Sequence, residues 1–367
     1  MKRICYLLLF TCFYGLSSSF LLAQELQPGF DTKEYTELLK LITASSESAA
    51  KAKTIPAPES KLQYRSKEMG LANLWELWMK DQHTAVLCTR GTTGESKSWF
   101  ANLYAAMVPA QGELHIANDF TFSYQLTSDP KAAVHVGYLI STAFLSRDML
   151  PKIDSCYKAG IRDIIITGHS QGGGISYLLT AYFHSLQKEG RLPKDIRFKT
   201  YCSAPPKPGN LEFAYAYEKM TQGGWAFHVS NTEDWVPQVP FSVQTVGDFP
   251  AVSPVPLVEG IIAKQSFFKR FFGKIMIKKA KKPSEKTVAT YQKYLGKGMV
   301  KEVKKYLPEF VEPKYAPSNN YVRTGIPIVL YPDANYYEKF KAGEKLDMML
   351  HHSIPPYYYL INHYLDK

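Results

Sequence analysis

The sequence predicts an α/β fold, and three observations carry that expectation. The β-branched run Ile164-Ile165-Ile166 ends in Gly168-His169-Ser170-Gln171-Gly172 and passes straight into Ile175-Ser176-Tyr177-Leu178-Leu179, whose apolar spacing is helical: strand, sharp turn, helix. Further strand-like runs at 84–89, 198–204 and 326–331 are separated by stretches with helical spacing. The chain has 367 residues, 45% hydrophobic and 14% aromatic, which excludes a disordered polymer and suffices for one large domain with insertions or two small ones.

At the amino terminus, Met1-Lys2-Arg3 precedes an apolar run from Ile4 to Tyr14, then small residues and Leu21-Leu22-Ala23-Gln24. A charged start, a short apolar core and a small residue at the cut site describe a secretory signal peptide over 1–23. Ser17-Ser18-Ser19 interrupts the run too early for a membrane anchor of about 20 residues. Lipidation at Cys12 is the lesser alternative, because Leu9-Phe10-Thr11 is a poor approach to a lipidated cysteine. Cleavage leaves Cys88, Cys156 and Cys202, so at most one internal disulfide forms, and Cys88 and Cys202 lie in strand-like runs that suit small buried hydrophobes. No Cys or His spacing suggests a zinc site, and no metal or cofactor is expected. The formal charge of +11 implies attraction to anionic surfaces without saying which.

Taken in order, Tyr35, Leu38, Leu39 and Ile42 have helical spacing over 31–44, a helix expected to pack across one side of the sheet. Residues 45–61 are rich in Ser, Ala, Lys and Pro and read as a loop. Strands follow at 73–79 and 84–89, the second ending in Arg90-Gly91-Thr92 before Ser98-Trp99-Phe100-Ala101-Asn102-Leu103. A helix begins near His135-Val136-Gly137-Tyr138 and runs towards Leu150, and a second is expected from Pro151 to Ala159. The Ile164 strand then delivers Ser170. Glycine flanks the serine for a steric reason, since a strained residue at a strand tip tolerates no bulk two residues to either side. The turn lifts Oγ clear of the sheet and leaves the backbone at a helix amino end, where unpaired N–H groups meet an oxyanion. Ser170 is therefore the candidate nucleophile, although the pentapeptide alone also arises by chance. After the strand at 198–204 come Pro205-Pro206-Lys207-Pro208-Gly209-Asn210, a helix over 211–220, and a strand from Ala226 into Asn231-Thr232-Glu233-Asp234-Trp235-Val236-Pro237-Gln238-Val239-Pro240.

A strand ending in Arg90-Gly91-Thr92, the helix start Trp99-Phe100-Ala101-Asn102-Leu103, His135-Val136-Gly137-Tyr138 and the Gly168–Gly172 elbow together resemble the class 3 (fungal-type) lipase family. The resemblance extends to Asn231-x-x-Asp234 before Val-Pro-x-Val-Pro, and to His352-Ser353-Ile354-Pro355-Pro356-Tyr357. It covers roughly 64–240 and then 321 to the end. It implies an α/β-hydrolase fold, a mostly parallel central sheet flanked by helices. It also implies a Ser170, Asp234, His352 triad, with oxyanion donors at Thr92 and Gln171, and a structural role for His135. Alone, Arg90-Gly91-Thr92 is an ordinary strand-to-loop turn and Asp234 a turn aspartate. His351 adjoins His352 and is not separated from it by sequence, beyond the register with Tyr357.

Asp234 and His352 are 118 residues apart, longer than the family's usual gap. The excess coincides with a basic helical insertion at about 250–315 in an otherwise single domain over 24–367. Within it, 261–282 interleaves lysine with Phe, Ile and Met and contains no acid. Three readings compete: an amphipathic segment in peripheral contact with an anionic membrane or lipid surface, a lid, or a solvated basic helix. Nucleic acid is not an expected partner, because the chain is expected to be exported to the periplasm, the medium or the outer surface.

The reaction this implies is hydrolysis of carboxylic esters, of the acylglycerol lipid type, through an acyl-enzyme. The competing reading is a non-catalytic lipid- or glycan-binding protein on a hydrolase scaffold.

Overall fold

The computed structural model describes residues 25–45, 54–250, 252–341, 343 and 347–364. The predicted signal peptide lies outside them. Helix α1 (Thr32–Ser45) precedes strands β1 (Lys61–Arg65), β2 (Trp75–Met79) and β3 (Thr84–Thr89). Then come α2 (Ser96–Leu103), β4 (Met107–Pro109), the hairpin β5 (Gln111–Ala117) and β6 (Phe120–Gln125), β7 (Ala133–His135) and α3 (Val136–Lys158). The centre of the chain supplies β8 (Asp163–His169), α4 (Gln171–Lys188), β9 (Arg197–Ser203), β10 (Gly209–Asn210), α5 (Leu211–Met220) and β11 (Ala226–Asn231). Helices α6 (Pro254–Ala263), α7 (Phe267–Tyr291) and α8 (Gly298–Val303) follow, then β12 (Tyr321–Val322), β13 (Ile326–Leu330), α9 (Ala334–Lys339) and α10 (Ile354–Asn362).

Seven strands form the central sheet in the order β1-β2-β3-β8-β9-β11-β13. The β1-β2 and β2-β3 pairings are antiparallel and the remaining four are parallel, as crossover helices require. The sheet is covered on both faces, so β3, β8 and β11 are buried at every residue rather than at alternate ones. Ile164 and Ile166 of β8 enter the core shared with α3, α4 and α5, while Ile165 enters the core shared with α1 and α10. Each buried isoleucine contributes about 1.5–3 kcal/mol by leaving water. As its spacing predicts, α1 buries Tyr35, Leu38, Leu39 and Ile42 against that second face.

Two sequence expectations change. Pro151 does not separate two helices but lies inside α3, whose Met149, Ile153 and Cys156 are all buried. Packing on both sides of the proline outweighs the hydrogen bond it removes. The basic insertion is also not uniform. Val300 and Val303 of α8 and then Phe310 join the main core, and the amide of Ala106 donates to the Leu295 carbonyl at 3.1 Å. Only α6 and the first part of α7 stand clear of it. Cys88, Cys156 and Cys202 are buried free thiols.

Candidate active site

All the predicted site residues lie beyond the carboxyl ends of parallel strands: Thr92 after β3, Ser170 after β8, Asp234 after β11 and His352 after β13. Ser170 has φ 59° and ψ −128°, a strained setting for a residue with a side chain. The flanking glycines are obligatory there. A Cβ on Gly168 would lie 2.4 Å from the Gly172 carbonyl carbon, and one on Gly172 would lie 2.2 Å from the Thr89 carbonyl oxygen. The Ser170 amide donates to Ser203 O at 2.9 Å, and its carbonyl accepts from Gly174 at 3.0 Å, which opens α4.

Asp234 and His352 are brought together. Nδ1 of His352 lies 2.7 Å from Oδ2 of Asp234, and both side chains are buried. Two more donors hold the carboxylate: Tyr357 O–H to Oδ2 at 2.7 Å and the Val236 amide to Oδ1 at 2.9 Å. With the Nδ1 proton given to Asp234, Nε2 of His352 carries the lone pair. Nε2 is buried and has no hydrogen-bond partner, so Ser170 Oγ is not bonded to it. The neighbouring His351 is engaged elsewhere, with Nδ1 2.7 Å from the Tyr336 hydroxyl and its ring stacked on Tyr336.

Residue 169 connects the two halves of this arrangement. Its ring centroid is 4.8 Å from that of His352, and its Nε2 lies 2.7 Å from the His352 carbonyl. A carbonyl only accepts, so Nε2 carries the hydrogen and Nδ1 is the acceptor. Ser203 Oγ, 2.9 Å away, therefore donates to Nδ1, and the Tyr35 hydroxyl donates in turn to Ser203 Oγ at 2.6 Å. The chain of donors runs one way, from α1 to the backbone of His352.

On the opposite side, Asn102 Nδ2 donates to Thr92 Oγ1 at 2.9 Å, and Asn102 Oδ1 accepts from Tyr138 O–H at 3.2 Å. Thr92 thus keeps its own hydroxyl hydrogen to offer. His135 is structural, as expected: Nε2 faces the Asn102 carbonyl at 3.1 Å, Nδ1 accepts from the Tyr138 amide, and the ring stacks on Tyr138. The Gln171 side chain donates to the Ser98 carbonyl at 2.8 Å, which pins the first residue of α4. Thr92 and Ser170 share a cavity of about 240 Å³ whose walls are otherwise largely apolar, including Leu103, Val236, Val239, Tyr291 and Leu295. Trp99, Trp235 and Phe241 form an exposed rim. Among the described residues, no group of three or more His, Cys, Asp or Glu is placed to hold a metal.

Burial depresses four of the histidines outside the Asp234 pair. His135, His169 and His228 are held down to about 3 and His184 to about 4, all neutral at pH 7. The unfolded chain protonates the same groups near pH 6.5, so between roughly pH 4 and 6.5 it binds more protons than the native state. Stability is therefore expected to be full above pH 6.5 and to fall as pH drops, by up to about 1.4 kcal/mol per pH unit for each histidine. Urea midpoints measured from pH 7.5 to 5 check this, and a flat profile would contradict neutral burial.

Residues 86–244 match the family model described as lipase (class 3). Over that span, less than half of the chain, the sequence is similar to the class 3 lipases. The match takes in the strand before Thr92, the Ser170 elbow and Asp234, and ends before the basic insertion and His352. A curated relative, the secreted mono- and diacylglycerol lipase 3 of Gibberella zeae, is 40% identical over 77 residues, covering 21% of this chain and 23% of the relative. The matched region thus spans less than a quarter of that lipase's length. Lipase II from Rhizopus niveus is 23% identical, with 57% of this chain and 75% of that chain covered and a TM-score of 0.41. A fungal lipase–inhibitor complex gives 20% identity, 57% and 74% coverage and a TM-score of 0.42. The matched span carries β8, β9 and β11 of the central sheet.

Sequence reasoning did not find Asn102, His169, Ser203 or Tyr35 as parts of the site. Asn102 had a signal, because it fills the polar position of the Trp-x-x-Asn-Leu segment. Tyr35 and Ser203 had none, since 168 residues separate them and only folding places them together.

Proposed function

We propose that the chain is an exported serine hydrolase that cleaves carboxylic esters of lipids, of the acylglycerol type, within a single α/β-hydrolase domain over 24–367. The observation that carries this is the state of His352: Nδ1 is committed to Asp234, while Nε2 is buried and uncommitted, and the ring packs against His169, the residue before the strained Ser170. Nε2 takes the proton as Ser170 Oγ attacks the ester carbonyl, and Asp234 holds the imidazole in that tautomer. The backbone N–H of Gln171 and the N–H and hydroxyl of Thr92 receive the oxyanion, each donor contributing about 3 kcal/mol to the transition state. His352 then protonates the leaving alcohol, and water repeats the sequence on the acyl-enzyme. The apolar cavity accepts an acyl chain, and the exposed aromatic rim suits a substrate presented at a lipid surface. Peripheral contact with an anionic lipid surface through 261–282 belongs to the same reading. Export agrees with the signal-like sequence at 1–23 and with the name of the secreted Gibberella relative.

A fluorophosphonate probe tests the chemistry directly. Labelling is expected on the peptide containing Ser170 and is expected to be lost in His352→Ala. Absence of labelling would return the chain to the class of binding proteins on a hydrolase scaffold. A second test addresses the Thr92 side. Asn102→Leu removes the donor that orients the Thr92 hydroxyl, so kcat is expected to fall roughly 10- to 100-fold with KM little changed. Wild-type kcat in this variant would remove Asn102 from the oxyanion machinery.

A further inference from the structure

The hairpin made by α6 and α7 carries features that the Ser170 site does not use. Phe267, Phe268, Phe271, Phe272 and Met276 of α7 are between 55% and 73% exposed, and Leu257 and Ile261 of α6 are 65% and 51% exposed. Soluble chains rarely leave such a contiguous set of large apolar side chains bare. At 100° per residue, those five α7 residues fall on one half of the helix circumference, and Lys269, Arg270 and Lys274 fall on the other. The partner helix does not cover the apolar half. It meets α7 at Gly273, where an added Cβ would lie 2.7 Å from Ile262 Cγ2, and at Lys281, which pairs with Glu259 at 2.5 Å. Lys278, Lys279 and Lys282 add further charge, and 261–282 has no Asp or Glu to balance it.

We propose that this hairpin is a docking arm for anionic lipid bilayers. Its phenylalanines enter the boundary between headgroups and acyl chains, and its lysines and arginine rest among the phosphates, two demands that one surface meets together. Among the described residues no helix is long and apolar enough to cross a membrane, so the arm grips one leaflet. It is continuous with the cavity wall: α7 has 25 residues, about 37 Å of helix, and ends at Tyr291, which together with Leu295 of the following turn lines the Ser170 cavity. Docking therefore sets the cavity at a fixed offset from the surface. This deepens the lipid-ester reading and rests on it for the purpose of the arm, while the binding itself is measured without catalysis.

The test uses full-length Ser170→Ala protein, so that vesicles stay intact, in sedimentation against phosphatidylcholine vesicles with and without phosphatidylglycerol. Binding is expected to be at least about tenfold stronger to the mixed vesicles and to weaken as salt rises. The quadruple variant Phe267→Ser, Phe268→Ser, Phe271→Ser, Phe272→Ser is expected to lose binding. Lys269→Gln, Arg270→Gln, Lys274→Gln, Lys278→Gln is expected to lose the preference for phosphatidylglycerol. In the Ser170 background, both sets are expected to hydrolyse a water-soluble ester at the parental rate, which shows that they are folded. Equal binding to neutral and anionic vesicles, or unchanged binding by the phenylalanine variant, would overturn the proposal. So would a dimer in solution that the phenylalanine variant dissociates, combined with no vesicle binding. Loss of soluble-ester hydrolysis in the parent would instead remove the catalytic reading and leave the vesicle result standing.

Discussion

Ser170→Ala is expected to abolish hydrolysis of both short- and long-acyl p-nitrophenyl esters, lowering kcat by roughly 10⁴- to 10⁶-fold. Of the elbow residues from Gly168 to Gly172, Ser170 is the one that lines the cavity. The substitution leaves the fold unperturbed, because the bonds that hold the elbow are those of the Ser170 backbone, and alanine retains them. The thermal midpoint is therefore expected to stay within a few degrees of the parent, and a residual rate over solution comes from the oxyanion donors and binding alone. Unchanged hydrolysis by the alanine protein would end the nucleophile assignment.

Asp234→Asn is the second large effect, and its cause lies in the count of donors. Oδ2 accepts from both His352 Nδ1–H and Tyr357 O–H, and Oδ1 accepts from the Val236 amide. An amide has only one acceptor oxygen. If that oxygen faces Val236, the NH2 group confronts His352 and drives its proton to Nε2, the atom required as base. If it faces His352, the NH2 group opposes the buried Val236 N–H, at a cost of about 1–3 kcal/mol. The first placement avoids that cost, so kcat is expected to fall about 10³- to 10⁴-fold near neutral pH, with fluorophosphonate labelling slowed in parallel. Tyr357→Phe removes one donor and leaves the tautomer intact, so a loss below about tenfold is expected. An asparagine variant within tenfold of the parent would show that Asp234 does not set the state of His352.

The parts of this molecule legible in the sequence are those governed by local sterics and periodicity. The glycines around Ser170 announce a turn because a Cβ at either position collides with backbone. The triple isoleucine of β8 announces a strand buried on both faces. Thr92 and Asp234 come from the family resemblance of Arg90-Gly91-Thr92 and Asn231-x-x-Asp234, since by local rules each reads as an ordinary turn. Pro151 misleads for the same reason: a local rule favours a break, and the buried residues on either side of the proline override it.

The sequence by itself therefore determined the order of the strands that carry the site, the elbow, and which residue types stood at the strand ends. Only the tertiary structure gives His351 and His352 different partners, Tyr336 for one and Asp234 for the other. It also assembled the donor chain from Tyr35 through Ser203 and His169, and divided the basic insertion into a packed half that walls the cavity and a bare half that does not. Each of these depends on contacts between residues far apart in the chain, 183 positions in the case of His169 and His352, and no local pattern records them. The energy that selects them is burial and hydrogen-bond satisfaction in the assembled core, and it exists only once the core has formed.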